Sequence, residues 1–251
     1  MFNWDLVWFY LFQDPNLYFL KAAWLVLWVS VVAQTLGVIL GLFLALMQMS
    51  KWPALQWIAR AYLWFFRGSP LLVQVLLLWT GLPKIVPGLL LPDFACILVA
   101  FSLNEGAYMS EIIRAAIGAV DPGQMEASKA LGMRYWVAMR RIILPQAARV
   151  VIPPLGNEFN NMLKTTSIAT VIGMLELTGT ARTFGAPTFN IFELLIVATV
   201  YYLILTTIWD VIQRWIERRL DPDRKSAISV NKSFGQRVLG FGSGRDREFA
   251  R

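Results

Sequence analysis

Histidine is absent from this sequence, and cysteine occurs once, at Cys96. The first absence excludes imidazole metal ligands and histidine-based acid–base chemistry. The second excludes an intrachain disulfide, and Cys96, set in an apolar run, reads as a small buried hydrophobe. Charge is scarce as well: 16% of the 251 residues are charged, where a soluble domain carries about 25%. No G-x-x-x-x-G-K-[ST] string occurs, so the sequence offers no phosphate-cradling loop for a nucleotide. The N-terminus carries Asp5 and Asp14 and no basic stretch before its first apolar run, which argues against a cleaved signal peptide.

What remains is apolar. The chain is 57% hydrophobic, with 11 Trp and 16 Phe, and that balance predicts an all-α polytopic membrane protein. About five transmembrane helices are expected. Residues 22–50 contain no charge, and Lys51-Trp52-Pro53 ends that run. A second span begins near Ala54, is interrupted at Arg67-Gly68-Ser69-Pro70 and resumes through Trp79. The interruption reads either as a packing hinge or as a gate element, because the backbone groups it frees must be satisfied by protein or water. A Gly- and Pro-rich loop follows over 81–93. The third span covers about 94–114, the fourth enters after Pro145 and reaches Ser167, and the fifth covers about 192–215. Segment 165–190 is expected to be a short helix plus a loop on the far face. Residues 1–18 read as an extracytoplasmic or interfacial segment and 19–220 as the transmembrane domain. Residues 221–251 read as a polar cytoplasmic tail, predicted to be disordered.

Orientation follows from lysine and arginine. If the polar break over 121–141 lies inside, 19 of the 23 basic residues fall on the cytoplasmic side, as the positive-inside bias requires. Five spans then place the N-terminus outside and the C-terminus in the cytoplasm. The net charge of +7 is thereby assigned to topology and not to nucleic acid. The Trp residues mostly mark membrane interfaces.

The break at 121–141 is an amphipathic element between two spans. Asp121 suits an N-cap and Pro122 the first helical position. Glu126, Ala130 and Met133 share one helical face, Ala127, Ala130 and Leu131 are small or apolar enough for close docking, and Gly132 ends or turns the helix. On residue chemistry alone it is either a helix lying on the bilayer surface or a surface offered to a soluble partner.

The string Glu126-Ala127-Ser128, then Gly132, Ile142 and Leu144-Pro145, resembles the E-A-A loop of permease subunits of ATP-binding-cassette importers, with Ser128 in place of the second Ala. Phe66 to Gln74, Ala107 to Arg114, Gly156-Asn157-Glu158-Phe159 and Leu163 to Ile168 resemble further motifs of the permeases for polar amino acids. The resemblance covers about residues 20–220. It departs at Asn160-Asn161-Met162 and in the Trp-rich N-terminus. It implies a type I importer permease in a bacterial inner membrane, with a coupling helix whose Glu126, Ala127, Ala130, Leu131 and Gly132 dock on an ATPase subunit. It also implies that ATP is bound by that partner, with no cofactor on this chain. A second permease, the same or a related chain, and an extracytoplasmic binding protein are implied too; the latter would engage the 81–93 and 165–190 loops.

Ionisable residues inside a bilayer are costly and mark candidate function. Asn104 and Glu105 fall at the middle of the third span, Asn157 and Glu158 at the middle of the fourth. Asn104, Tyr108 and Glu111 recur at i, i+4, i+7, as do Asn157, Asn161 and Lys164. These stripes are expected to line a path for an amino-acid zwitterion, with a slight lean to a basic side chain. The structural alternative pairs Glu111 with Arg114 and Glu158 with a neighbouring helix. At the level of the whole protein the alternative is an ion-coupled secondary transporter or channel using Glu105 and Glu158; a non-transporting scaffold would leave those carboxylates unexplained.

Overall fold

Uncharged sequence sets the first long helix. A computed structural model of the chain describes residues 2–220, and the predicted tail at 221–251 lies outside the described residues. Helix α1 (Trp4–Trp8) and a wider π-type turn at Phe9–Gln13 precede α2 (Tyr18–Gln48). Asp14 starts α2 by accepting from the Tyr18 N–H at 2.8 Å. Helix α3 (Pro53–Gly68) is followed by α4 (Leu71–Leu76), a π-type turn and α5 (Leu82–Ile85). Helix α6 (Asp93–Gly118) leads into α7 (Pro122–Ala130), then α8 (Tyr135–Ala138) and a third π-type turn at Met139–Ile143. Helix α9 (Leu144–Thr165) runs into a 3-10 segment, Thr166–Ile172, before α10 (Leu177–Gly185) and α11 (Ile191–Leu220). No strand occurs among the described residues.

Helices α2, α6 and α11 are each long and apolar enough to cross a membrane. Helix α3 with α4–α5 makes a fourth candidate, bent by 102° at the expected interruption. Helix α9 has the length, 22 residues, but Arg149, Glu158 and Lys164 keep it out of the apolar class. It is instead packed among protein, against α6, α11 and α2. The interruption at 67–70 is thus a sharp corner and not a pause in a straight helix.

The centre of the molecule is the crossing of α2 on α6. A Cβ added to Gly37 would stand 2.6 Å from Glu105 Cγ, and one on Gly41 would meet the Ser110 backbone nitrogen at 2.9 Å. Close backbone approach of this kind is how helices associate where lipid removes the hydrophobic drive. Beside the crossing, Val29 and Ala33 of α2 pack with Ile97, Ala100 and Phe101 of α6 and Val75 of α4. Cys96 is buried in the same cluster, as a small hydrophobe would be. Towards the N-terminal end of α2, Phe19 and Val26 meet Leu163, Leu177, Leu194 and Val197, tying α9, α10 and α11 to the same core.

Gly37→Val should push α2 off α6. Overpacking of this kind costs about 1–3 kcal/mol; the purified protein in detergent should therefore melt at a lower temperature, and an unchanged Tm would show that the crossing is looser than its geometry.

Candidate functional site

Two regions carry the chemistry. The first is α7. Asp121 Oδ1 accepts from the Gly123 N–H at 2.8 Å, so the expected N-cap is formed. At the other end the Met133 N–H donates to Ser128 O at 3.0 Å and the Gly132 N–H to Lys129 O at 2.9 Å, the bond pair of a Schellman close. Gly132 has φ +75°, a conformation that disfavours side chains with a Cβ. The helix is therefore fixed at both ends by local chemistry. Ser128, 3% exposed, faces inward, and α7 packs on the Met139–Ile143 turn. Gln146 Nε2 also donates to Gln124 Oε1 at 3.3 Å. Glu126, Ala127, Ala130 and Gly132 are exposed, and Leu131 is 80% exposed with Trp136 beyond it at 77%. The helix ends at Ala130, and Trp136 belongs to α8, so the element is two short helices about a turn and not one rod.

The second region lies on α3, α4, α6 and α9. Asn104 does not face open space. Its Nδ2 donates to Phe66 O and to Gln74 Oε1, both at 3.0 Å. Gln74 Nε2 in turn donates to Phe66 O at 3.0 Å, Ser69 O at 3.1 Å and Ser69 Oγ at 2.9 Å. These two amides supply the donors that the α3–α4 corner lacks. Glu105 is buried against α2, its Oε1 without a hydrogen-bond partner, as is Oε1 of Gln34.

One turn further along α6, Tyr108 and Glu111 line an open cavity of about 650 Å³ with Gln48, Arg60, Arg67 and Arg114. Glu111 holds Arg114 at 2.9 Å and 3.3 Å and reaches Arg67 at 3.7 Å. The Arg67 guanidinium lies 5.8 Å from the Tyr108 ring centroid. Charged residues at the corner and on α6 thus meet in a site with three guanidiniums and one carboxylate. On α9, Asn157 accepts from Gln213 at 3.2 Å, Glu158 is half-buried, and Asn161 and Lys164 are exposed. The structure brings Tyr108 and Glu111 together and leaves Lys164 outside that cavity.

Sequence reasoning overlooked Gln74, Gln34, Arg60 and Gln213. Gln74 did carry a signal, as the lone polar side chain in Leu71–Trp79. Nor was Glu176 foreseen as the N-cap of α10. Its carboxylate accepts from the Thr178 and Gly179 N–H groups at 2.8 and 2.7 Å and from Tyr202 Oη at 2.7 Å. A second cavity, about 500 Å³, lies beside α10 and is lined by Gly173, Met174, Arg182 and Thr183 among others.

A capped polar helix is thus set between helices long and apolar enough to cross a membrane. Over residues 37–222 the chain matches the family described as the binding-protein-dependent transport system inner membrane component, and it belongs to that family. It is 41% identical to the arginine transport system permease protein ArgU of Corynebacterium glutamicum, covering 92% of this chain and 76% of the relative. It is 41% identical to the arginine transport system permease protein ArtQ of Bacillus subtilis, covering 76% and 87%. It is 38% identical to the putative glutamine transport system permease protein GlnP of Rickettsia bellii, covering 83% and 95%. Among solved structures, an amino acid ABC transporter with histidines superposes with a TM-score of 0.76 at 41% identity, covering 80% of this chain and 94% of that one. The MetNI methionine ABC transporter, inward facing, gives 0.70 at 17% identity, covering 83% and 98%, a likeness of fold. The chain is the permease subunit of an ATP-binding-cassette importer, multi-pass in the inner membrane, and ATP hydrolysis belongs to a partner subunit. The ion-coupled alternative is set aside.

Gln74→Leu should leave Ser69 O without its donor and Asn104 without one of its two acceptors. Each buried unpaired group costs about 1–3 kcal/mol, so thermal stability in detergent should fall further than in Ser69→Ala, where Gln74 keeps its other acceptors. Equal losses would mean that the corner does not depend on the amide.

Proposed function

We propose that α7 is the coupling helix of the importer and that its exposed face, with Glu126, Ala127, Ala130, Leu131 and Gly132, docks in a groove of the ATPase subunit. The single observation behind this reading is a helix fixed at both ends that holds Leu131, 80% exposed, away from the rest of the chain. Two ATPase subunits bind ATP, and this chain carries no cofactor. Their closure displaces α7, and the membrane helices exchange outward for inward access. The change is driven by the difference in docking energy between the two ATPase states. One α7 engages one ATPase, so a second permease copy or paralogue completes the pore. An extracytoplasmic binding protein delivers substrate to the 81–93 and 165–190 loops, and membrane lipid covers the outer apolar faces.

In this arrangement α2, the bent α3–α5 unit, α6, α9 and α11 make five spans. The N-terminus lies outside and the C-terminus in the cytoplasm, in keeping with the distribution of lysine and arginine. Helix α9 tolerates its charges because it packs on α6 and α11 and faces the pore. Tyr108 and Glu111 on α6 and Asn157, Glu158, Asn161 and Lys164 on α9 line the substrate path, with Asn104 and Glu105 behind them. The substrate is a polar amino acid. Carboxylates at Glu105 and Glu158 favour a cationic side chain, and the ArgU and ArtQ relatives are named for arginine transport.

Three measurements test the proposal. Gly132→Val should abolish co-purification of the ATPase while membrane insertion survives. Gly132→Asn should retain most of it, since Asn tolerates a positive φ; equal retention by both variants would refute docking through this closure. Glu158→Ala should lower uptake by about tenfold, the scale of a lost charge-assisted hydrogen bond, with ATPase assembly intact, and unchanged uptake removes Glu158 from the path. In proteoliposomes with the receptor, unlabelled arginine should compete with labelled arginine better than glutamine does; the reverse order would overturn the cationic preference.

A further inference from the structure

Helix α9 carries two prolines in its middle. Pro153 and Pro154 lie inside it and have no N–H, so the carbonyls of Arg149 and Val150 lose their donors and the helix is weakened there. Helix α11 lies across this weak point. Gln213 Nε2 donates to Pro153 O at 3.3 Å and to Asn157 Oδ1 at 3.2 Å, and is held from its own helix by Glu217 Oε1 at 2.9 Å. Trp209 Nε1 donates to Gly156 O at 2.7 Å, and its ring sits 4.2 Å from that of Phe159. Asn160 Nδ2 donates to Asp210 Oδ1 at 2.6 Å. The approach is tight, since a Cβ on Gly156 would meet Gln213 Cδ at 2.5 Å.

We infer that Trp209 and Gln213 are positioning residues of the transport cycle: they brace α9 across Pro153–Pro154, so that α9 and α11 move as one body when α7 is displaced. The inference rests on the docking of α7 proposed above. Helix α7 packs on the Met139–Ile143 turn, which continues into α9, and the Gln146–Gln124 bond ties the two. A displacement of α7 therefore enters α9 on the N-terminal side of the proline pair. Without the brace, α9 bends at Pro153–Pro154 and the displacement is absorbed there. With it, the load passes to α11, which carries Leu194 and Val197 into the same core as α2 and α10. Neither Trp209 nor Gln213 has to touch substrate for this.

The test uses the assembled importer in proteoliposomes with its receptor and measures amino acid imported per ATP hydrolysed. Gln213→Ala removes the amide. Trp209→Phe keeps the ring on Phe159 and removes the N–H. Both should assemble and hydrolyse ATP, while import per ATP falls about fivefold, the Boltzmann weight of one lost buried hydrogen bond. Pro153→Ala restores a backbone donor to α9, so Pro153→Ala in the Gln213→Ala background should recover the ratio. A merely structural loss would not behave this way. An unchanged ratio in both single variants overturns the brace. So does a parallel loss of assembly, import and hydrolysis that Pro153→Ala does not relieve. Crosslinking to the ATPase from Ala127→Cys separates the two readings. A normal crosslink with an unchanged ratio fails the brace alone, whereas no crosslink in the otherwise wild-type chain fails the docking and removes the input of the brace as well.

Discussion

A bilayer offers no water to an unpaired backbone group, and most of what is distinctive in this chain answers that constraint. One long helical path is broken, at Gly68–Pro70, and a second, α9, carries Pro153 and Pro154 in its middle; in both places polar side chains donate to backbone carbonyls. Gln74 and Asn104 supply donors to Phe66 O and Ser69 O at the first. Gln213 and Trp209 supply donors to Pro153 O and Gly156 O at the second. An unsatisfied carbonyl in a dry interior costs several kcal/mol, so the Gly68–Pro70 corner would not hold its shape with apolar residues in place of Gln74 and Asn104, whereas Gln213 and Trp209 tie α11 to α9. The polar side chains of the membrane domain thus fall into two groups, those that repair the backbone or tie helices together and those left over.

That division reshapes the candidate path. Asn104 and Asn157 share helical stripes with the residues proposed to meet substrate, yet both already spend hydrogen-bonding capacity on neighbouring helices. Tyr108, Glu111, Glu158, Asn161 and Lys164 are not bound into such repairs. Glu111 is held by Arg114 and Arg67 instead, which makes the α3–α6 cavity cationic on balance. On the proposed path, the carboxylate of a zwitterion would find complementary charge there and its ammonium nearer Glu105 and Glu158.

Local chemistry was legible in the sequence, and tertiary cover was not. The limits of α7 could be read from Asp121, Pro122 and Gly132, because caps and a left-handed closure depend on residues within one turn. The interruption at Arg67–Pro70 was legible for the same reason, but its 102° angle was not, since that depends on amides contributed from α4 and α6. Helical spacing puts Asn104, Tyr108 and Glu111 along one side of α6. It gave no hint that the corner covers the first and leaves the other two open. The amphipathic element expected over 121–141 resolves into α7, α8 and a π-type turn, with the Schellman closure turning the chain at Gly132. Gln213 was passed over because a lone amide near the end of a charged helix terminus reads as a solvated residue until the proline pair opposite it is seen.

The same division explains how the fold outlasts sequence. The MetNI methionine ABC transporter shares this fold at 17% identity, far below the 41% of the amino acid ABC transporter with histidines. Apolar runs, close helix contacts and backbone repair can each be met by several residue types, so they constrain the class of residue at a position more than its identity. The few polar side chains left free by those demands are under no such structural claim. They can change charge and shape while the helices around them stay in place, and within a shared scaffold of this kind they are where one permease can come to differ from another.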